Sequence, residues 1–576
     1  MVQENRVFVK GKVKTFFTLC ALAMIGLFLH LGYLMIVRGD YYTEKAIDLH
    51  ERERNIKAYR GLILDRNGVV LADNISVCTV SVIYNQMEDR EAVIRMLCEE
   101  LDLSEEYVRK RVEKRSSMER IKTNVSKEIG EKIRSYEMAG VKVDEDYKRY
   151  YPYGELASKV LGFTGADNQG IIGLEVTYEE VLAGEMGQIL TMTDAKGVEV
   201  EAKGERRREA VPGDNLITTL DINIQSYATQ LAKQALENKS AESVSIIVMH
   251  PKTGEIYAMV NVPEFDLNDP FTLPEGMEAE GTKQQDALNK MWRNGCINDT
   301  YEPGSTFKII TAASALEEGT VTRDSGFHCP GYVIVEDRRI RCHKTTGHGS
   351  QTFLQGTMNS CNPCFVNVGL GLGVDRLYKY MERFGIMEKT GVDLPGEAGS
   401  IMHNKENVGP VELACISFGQ SFQITPLRLL SSVSTIVNGG YEITPHFAKA
   451  VIEETGDTVP IAYEPGEQVV STETSEELRY FMEMVVAEGG GKNGAVEGVR
   501  VGGKTATSQT LPRSARQYIA SFIGMAPADD PQVIAIAIVN KPTGMYYGAQ
   551  VAAPIVRQLF ENILPYLGIM DYNAIE

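Results

Sequence analysis

An uncharged run of 22 residues, from Phe16 to Val37, most constrains what this chain can fold into. About 20 apolar residues are enough to cross a bilayer as a helix, so the run predicts a transmembrane anchor at residues 16–37. Arg38 is followed at once by Asp40, whereas four basic residues precede the run: Arg6, Lys10, Lys12 and Lys14. Because basic residues stay on the cytoplasmic side, we expect a cytoplasmic tail at 1–15 and the rest of the chain outside.

A cleaved signal peptide is the alternative explanation for this run. The run is long for the apolar part of a signal peptide, and no A-x-A-like cleavage site follows it. These two features favour an uncleaved, single-pass anchor in the cell membrane.

The remaining chain is too long for one hydrophobic core. A chain of 576 residues is expected to form two or more domains, and the pattern of elements that starts near Thr218 predicts regions at 38–217 and 218–570. The formal charge of -19 offers no basic face for phosphates, so nucleic acid is excluded as a partner.

The second region shows an order of elements typical of an antiparallel sheet covered by helices. A helix capped by Asp221 or Asn223 precedes two strands, a long helical insertion at about 265–495, three more strands and a last helix at about 552–567. This order predicts an α+β fold with a five-stranded sheet. The predicted strands are 244–249, 255–262, 499–507, 517–525 and 533–540.

The first region has short strands and helices but no nucleophile with a base beside it. Arg60 to Gly68 predicts a strand entering an Asn-Gly turn, and three helices are expected near 90–101, 104–115 and 126–138. A supporting or docking module of mixed α/β structure is the simplest interpretation.

Three short strings carry the chemistry, and they occur in a fixed order. They are Ser305-Thr-Phe-Lys308, Ser360-Cys361-Asn362 and Lys504-Thr505-Ala506. Pro303-Gly304 and then helical apolar spacing predict that Ser305 opens a buried helix with Lys308 one turn on. A desolvated lysine beside Phe307 loses its proton readily and then serves as the base for the serine.

The second and third strings supply what an acyl-transfer site needs besides the nucleophile. A hydroxyl at Ser360 can pass a proton, and the Asn362 carboxamide can hold a substrate amide. Lys504 and Thr505 offer a cation and a hydroxyl to a carboxylate. The backbone N–H of Thr507 is our candidate for the second oxyanion donor, beside the N–H groups at the start of the Ser305 helix.

Histidines and cysteines do not form a metal-ligand spacing in the sequence, so no metal site is expected. Cys361 lies inside the second string, which argues against a zinc ribbon. Cys329 and Cys342 flank a predicted hairpin formed by 332–335 and 339–341, and either cysteine can pair with the other or with Cys361 in an oxidising compartment. Free buried thiols explain the sequence equally well. His348 is interpreted as a structural loop residue near the site.

Together these strings make the chain similar to class B penicillin-binding proteins, the membrane-anchored D,D-transpeptidases of peptidoglycan synthesis. The resemblance covers nearly the whole chain and extends to further strings outside the site. These are Arg60-Gly61-x-Ile63-x-Asp65-Arg66-Asn67-Gly68, Arg149-Tyr-Tyr151-Pro152, Leu161-Gly162-Phe163, Gly173-Leu174-Glu175, Tyr301-Glu-Pro303-Gly304, Thr390-Gly391-Val-Asp393-Leu-Pro395-Gly396 and Gly419-Gln420…Thr425-Pro426.

The resemblance implies an elongated pedestal at 38–217, of the dimerisation type, and a penicillin-binding transpeptidase domain at 218–570. It implies Ser305 as acyl acceptor, Lys308 as base, Ser360 and Asn362 as relay and substrate holder, and Lys504 with Thr505 as binders of the terminal carboxylate. The substrates would be peptidoglycan stem peptides ending in D-Ala-D-Ala, and β-lactams would acylate the same serine. It implies no cofactor, and a polytopic glycosyltransferase as partner.

One residue departs from the family pattern, and two other functions remain open. The third string usually ends in glycine, whereas this chain has Ala506. Its methyl either crowds the substrate or the Ser305 helix or is absorbed by a small shift, and it bears on β-lactam affinity more than on catalysis. A D,D-carboxypeptidase or β-lactamase on the same fold is one alternative, although no dedicated deacylating carboxylate is evident. A non-catalytic scaffold for wall synthesis is the other.

Overall fold

The computed structural model describes residues 3–42, 51–116, 118–192, 206–274, 281–464 and 466–570. Residues 1 and 2 of the expected tail lie outside the described residues, as do 43–50, 117 and 193–205 of the expected pedestal. The chain forms two compact units. The first comprises Met1–Ala58, Ser76–Lys148 and Glu185–Val211, and the second Tyr59–Ile75, Arg149–Gly184 and Pro212–Glu576. Segments on both sides of residue 218 contribute to the second unit, and the domain boundary expected there stays a prediction.

The N-terminal part of the first unit is one long helix, as the sequence predicts. Gln3–Gly32 is α-helical and continues as a wider turn over Tyr33–Val37. Lys10–Val37 is long and apolar enough to cross a membrane, judged by length and composition, and its side chains are exposed. An exposed apolar helix of this length fits a lipid-facing segment.

The rest of the first unit is a small α/β core. Three helices begin at Asp89, Ser104 and Ser126, whose side chains accept hydrogen bonds from the first helical N–H groups. The helices are Arg90–Leu101, Glu105–Val112 and Lys127–Ser135, which confirms all three predictions. They pack on residues 76–82 of the strand Val70–Val82 and on the strands Glu119–Ser126 and Val141–Tyr150. A separate sheet joins Glu51–Ile56, Gly187–Met192 and Arg206–Arg208.

The second unit is built on a five-stranded antiparallel sheet, as predicted. Its spatial order is Ile256–Val262, Ser243–Met249, Val533–Asn540, Tyr518–Ala526 and Gly502–Gln509. Because side chains alternate along a strand, Ile246 and Val248 pack on one face while Ile247 and Met249 pack on the other. The first face is covered by the helices Ile222–Lys239 and Ala553–Tyr566.

The second face carries the helical insertion, which forms the larger core of this unit. Its helices are Thr282–Trp292, Lys308–Glu317, Phe353–Met358, Asn362–Leu372, Val374–Arg383, Pro410–Ile416, Pro426–Val437 and Thr472–Ala487. Two small antiparallel strand pairs lie within the insertion. Gly326–Cys329 pairs with Gly349–Thr352, and Tyr332–Val335 pairs with Arg338–Arg341. The second of these is the hairpin predicted from the sequence.

A third group of strands in this unit joins segments that are distant in sequence. Ile63–Leu64 pairs in parallel with Asn215–Thr218 and antiparallel with Val70–Val82. Asn215–Thr218 also pairs with Ala448–Ile452, which continues to Thr458–Pro460. The short helices of the unit are Ser158–Leu161, Gly173–Thr177, Glu179–Leu182 and Gly548–Val551.

Three of the motif strings meet in a buried ion-pair cluster of the second unit. The Glu175 carboxylate accepts from Arg60 Nε and from Arg149 Nε, each at 2.6 Å, and from the Tyr151 hydroxyl at 3.2 Å. The side chains of Arg60, Arg149 and Glu175 are between 0 and 1% exposed. The strings therefore have a structural role. Arg60 and Glu175 come from two of them, and Arg149 with Tyr151 from the third, so the cluster holds three chain segments together.

Candidate active site

Ser305 lies in a tight turn that leads directly into a buried helix. Residues Gly304–Phe307 form one 3-10 turn, and the α-helix begins at Lys308. The sequence predicts that Ser305 opens this helix, whereas in the structure Ser305 lies in the turn just before it. The turn residues Gly304, Thr306 and Phe307 are buried, whereas Ser305 is partly exposed. This placement leaves the serine hydroxyl accessible to a substrate.

Two glycines allow the turn to form. Gly304 has φ +57 and donates its N–H to Gly419 O at 2.8 Å. Gly419 has φ +84, and a Cβ there would lie 2.0 Å from Gly304 O, which no side chain tolerates. The Gly419-Gln420 string thus acts on the site by holding the backbone ahead of Ser305.

Lys308 is fully buried and its amine is held by three acceptors. Its Nζ donates to Ser360 O at 2.8 Å and to Asn362 Oδ1 at 2.8 Å, and lies 3.3 Å from Ser360 Oγ. The ring of Phe365 lies beside the amine, with its centroid 5.4 Å from Nζ. The structure therefore brings the first and second strings into direct contact, as the proposed chemistry requires.

Burial lowers the pKa of Lys308 to about 8, because desolvation disfavours the charged amine. Nearby thiols of Cys361, Cys342 and Cys364 act in the opposite direction. A lysine with this pKa has a substantial neutral fraction near neutral pH, and the neutral form is the one that accepts a proton.

Ser360 joins the two lysines of the site. Its Oγ accepts from Lys504 Nζ at 2.9 Å as well as from Lys308, while its backbone has φ +49, a left-handed conformation that is uncommon for serine. With both oxygen lone pairs facing lysine amines, the hydroxyl hydrogen remains to be donated elsewhere. This geometry suits a hydroxyl that passes protons.

The Asn362 carboxamide is used on both sides. Its Oδ1 accepts from Lys308, and its Nδ2 donates to Arg341 O at 3.0 Å, on the Arg338–Arg341 strand. Asn362 thus positions the lysine against the hairpin. Its expected contact with a substrate amide stays a prediction.

Lys504 and Thr505 lie on the edge strand Gly502–Gln509, next to the Ser305 turn. Lys504 is 1% exposed, and its pKa is lowered well below the usual value by desolvation and by the charge of Lys308. A carboxylate placed beside this amine would favour its protonated form. Thr505 is partly exposed, as expected for a group that contacts substrate.

Gly502 and Gly503 make room for the side chains of the neighbouring strand. A Cβ at Gly502 would lie 2.5 Å from Met525 Cε, and a Cβ at Gly503 would lie 2.5 Å from Phe522 Cζ. The glycines therefore make room for side chains of the neighbouring strand, which seats the edge strand in register.

Ala506 faces the Ser305 turn rather than open solvent. It is 3% exposed, and a Cβ built on Gly304 would lie 3.6 Å from Ala506 Cβ, an ordinary van der Waals distance. The methyl of Ala506 therefore lies close to residue 304 without a clash. Thr507 Oγ1 accepts from Gly548 N at 3.0 Å, and the role of the Thr507 N–H as an oxyanion donor stays a prediction.

Comparison with known proteins assigns the chain to a family. Residues 244–561 match the penicillin binding protein transpeptidase domain, and residues 55–218 match the penicillin-binding protein dimerisation domain. The chain belongs to the class B penicillin-binding proteins. It is therefore a peptidoglycan D,D-transpeptidase by family, with an N-terminal helix that fits membrane anchoring.

Relatives of this penicillin-binding protein extend over almost its whole length. It is 41% identical to Stage V sporulation protein D of Bacillus subtilis, over 94% of this chain and 83% of that protein. It is 27% identical to the peptidoglycan D,D-transpeptidase FtsI of Escherichia coli, over 96% and 92%. Penicillin Binding Protein 2X from Streptococcus thermophilus has the same fold, with a TM-score of 0.73, 22% identity, and coverage of 90% and 81%.

One group of hydrogen bonds near the site of this penicillin-binding protein is not predictable from the sequence. The Glu302 carboxylate, two residues before Gly304, accepts from Arg513 Nη2 at 2.9 and 3.0 Å and from Ser421 N at 3.0 Å. Arg513 is 211 residues away along the chain, so only the fold reveals that this pair fixes the backbone leading to Ser305.

The cysteines beside the second string also lie closer together than their sequence spacing suggests. Ligand atoms of Cys329, Cys342, Cys361 and His348 all lie within 4.8 Å of one another. The sequence predicts no metal site because the spacing of these residues along the chain is not that of metal ligands. That spacing does not show that folding brings the four side chains together. His348 contacts Cys342, with Nδ1 3.6 Å from Sγ, as a structural loop residue would.

Proposed function

We propose that this penicillin-binding protein cross-links peptidoglycan stem peptides through an acyl-enzyme on Ser305. The observation that carries the proposal is the double contact of Ser360 Oγ, which links Lys308 to Lys504 beside the partly exposed serine. A base, a proton relay and a carboxylate binder are thus joined by hydrogen bonds in one site.

The first half-reaction attaches the donor peptide to the enzyme. Ser305 Oγ attacks the carbonyl carbon between the two terminal D-alanines and gives its proton to the neutral amine of Lys308. The oxyanion forms near the N–H groups of Ser305 and Thr507. As the C–N bond breaks, the leaving nitrogen takes a proton through Ser360, and D-alanine departs.

The second half-reaction releases the peptide to a neighbouring strand. An acceptor amine attacks the ester carbon, loses a proton through the same hydroxyl and lysine, and forms the new amide. The Ser305 oxygen leaves and is reprotonated. Lys504 and Thr505 hold the terminal carboxylate of the donor during the first half-reaction, and that carboxylate keeps the Lys504 amine charged.

The deciding experiment follows covalent attachment and then products. Incubation of the full chain with benzylpenicillin should add the mass of one penicillin, on the peptide that contains Ser305, and Ser305→Ala should abolish the adduct. With un-cross-linked glycan strands bearing stem pentapeptides, we expect cross-linked dimers and free D-alanine. Tetrapeptides without dimers would show a D,D-carboxypeptidase instead, and a chain without any adduct would be a scaffold.

We further propose that this cross-linking serves sporulation. The identity to Stage V sporulation protein D is 41%, against 27 to 29% for relatives named PenA, MrdA and FtsI. Expression of this chain in Bacillus subtilis lacking Stage V sporulation protein D should therefore restore spore formation, and Ser305→Ala should not. Restoration by Ser305→Ala would indicate a role without catalysis.

The N-terminal helix also supports a proposed orientation and a proposed partner. The basic residues before it, which include Lys10, Lys12 and Lys14, favour a cytoplasmic N-terminus and a transpeptidase domain outside, where its substrate would lie. A polytopic glycosyltransferase, which supplies glycan strands at the membrane, is the proposed partner through this helix. Crosslinking from photoreactive residues placed along 16–37 would identify it, and capture of lipid alone would contradict the partner.

A further inference from the structure

A compact group of four potential metal ligands lies behind the Ser360 string. Cys329 ends the strand Gly326–Cys329, Cys342 follows the strand Arg338–Arg341, His348 precedes the strand Gly349–Thr352, and Cys361 caps the helix Asn362–Leu372. One ligand atom of each lies within 4.8 Å of the other three. Within the described residues, no other group of three or more such side chains meets this criterion.

The distances match a tetrahedral ion better than chance packing of cysteines. Zinc–sulfur bonds of about 2.3 Å place tetrahedral sulfur ligands about 3.8 Å apart and a sulfur and a nitrogen slightly closer. Cys342 Sγ lies 3.6 Å from His348 Nδ1. Because all four ligand atoms lie within 4.8 Å of one another, they cluster around one point rather than lying in a row.

Burial supports the same interpretation. Cys329, Cys342 and Cys361 are between 0 and 3% exposed, whereas His348 is only partly buried and leaves an entry path. The four potential ligands are three thiols and one imidazole, gathered at one largely buried position. Thiolate and imidazole are ligands that select zinc.

Two neighbouring residues are close but do not belong to the group. Cys364 lies one turn after Cys361 on the same helix and is buried, and His343 lies next to Cys342 with its Nδ1 3.9 Å from Sγ. Neither meets the distance criterion for all partners. They provide matched controls, a second cysteine and a second histidine within a few residues of the ligands.

We propose that Cys329, Cys342, His348 and Cys361 form a structural zinc site. Four protein ligands fill a tetrahedral ion, which leaves no position for water or substrate, so the ion holds structure rather than taking part in acyl transfer. The proposal goes beyond the transpeptidase function, since it assigns a ligand that the reaction does not need.

The site has a consequence for the catalytic residues through the backbone. Cys361 lies between Ser360 and Asn362, which together provide all three acceptors of the Lys308 amine. Cys342 follows Arg341, whose carbonyl accepts from Asn362. An ion that joins Cys342 to Cys361 therefore fixes both sides of the Asn362 contact and makes the four ligands positioning residues for Lys308.

Metal content tests the proposal directly. The full chain, purified in detergent without a metal-affinity column, should contain one zinc per molecule by elemental mass spectrometry. Cys329→Ser and His348→Ala should lose most of the zinc, whereas Cys364→Ser and His343→Ala should retain it. Substoichiometric zinc in the wild type, or equal zinc in all four variants, would overturn the assignment.

Replacement of the ion tests the ligands without any substitution, in case a variant fails to fold. The wild-type chain is depleted with a chelator and loaded with Co²⁺, which should give a sulfur-to-cobalt charge-transfer band and intense tetrahedral d–d bands. Weak octahedral bands would refute the site. Thiol titration after denaturation in chelator should find all nine cysteines; two missing thiols would indicate a disulfide among these residues instead.

A rate measurement tests the positioning role separately. Zinc depletion should slow acylation by a fluorescent penicillin at least tenfold, and added Zn²⁺ should restore the rate. The melting temperature of the depleted protein, measured without penicillin, shows whether the fold survives. An unchanged rate in the depleted protein would remove the positioning role. Metal content and cobalt spectra do not depend on acylation, so failure of the proposed function would leave them informative.

Discussion

At the scale of single residues, Ser360 is the position at which the catalytic side chains meet. Its hydroxyl contacts Lys308 and Lys504, and its carbonyl accepts from Lys308 as well. The sequence predicts that these residues share a site, because each string has a recognisable pattern. It does not predict that the Asn362 carboxamide accepts a hydrogen bond from Lys308 and donates one to the Arg341 carbonyl. Arg341 belongs to a hairpin that reaches Asn362 only in the folded chain.

The pH dependence of acylation should report the buried base. Burial lowers the pKa of Lys308 to about 8, and only the neutral amine accepts the Ser305 proton. The acylation rate with a fluorescent penicillin should therefore rise roughly tenfold per pH unit below about pH 8 and level off above it. A rate that falls over this range would show that the charged form of Lys308 is the active one.

Replacement of the base gives a second measure of the same residue. Lys308→Arg keeps a positive charge but does not deprotonate, so acylation should fall by about 10² to 10⁴. The melting temperature and the far-ultraviolet circular dichroism of the variant serve as the control for folding. A variant with near-normal acylation and a normal fold would exclude Lys308 as the base.

Ala506 is expected to affect stability more than acylation. Its methyl packs at the position of Gly304 without a clash, so Ala506→Gly should remove packing and cost about 0.5–1 kcal/mol of unfolding free energy. The fluorescent-penicillin rate should stay the same or fall slightly. A faster rate would show that the methyl crowds the substrate, as the departure from the family pattern suggested.

At the scale of elements, alternating and helical patterns of apolar residues predict most of the helices and strands discussed above. All five strands of the central sheet and the flanking helices form where the sequence places them, because each segment's pattern is local. Contacts between distant segments gave no such signal. The parallel pairing of Ile63–Leu64 with Asn215–Thr218 and the meeting of Cys329, Cys342 and Cys361 depend on tertiary packing.

The buried ion-pair cluster should be among the most sensitive positions of the second unit. Glu175→Gln leaves two buried guanidinium groups, Arg60 and Arg149, without their shared charge, and should cost about 3–5 kcal/mol in urea unfolding. Glu179→Gln is the matched control, because Glu179 also pairs with Arg60 but is 36% exposed. Equal losses in both variants would show that burial does not decide the effect.

At the scale of the whole molecule, two very different surfaces occur in one chain. The chain carries a formal charge of -19, yet the helix Lys10–Val37 is uncharged after Lys14 and exposed along its length. An apolar helix of this length and composition fits a lipid environment. The transpeptidase site draws its described residues from about 302 to 548, so its chemistry does not require the helix.

Removal of the helix should therefore separate anchoring from acylation. The full chain should remain with membranes after an alkaline wash, whereas a chain that begins at residue 51 should be soluble and should react with a fluorescent penicillin at the same rate. Intact-mass measurement of the membrane-extracted chain distinguishes the two interpretations of the run: an uncleaved anchor keeps residues 16–37, and a signal peptide loses them. A slower rate in the soluble form would show that the N-terminal segment supports the site as well as holding it at the membrane.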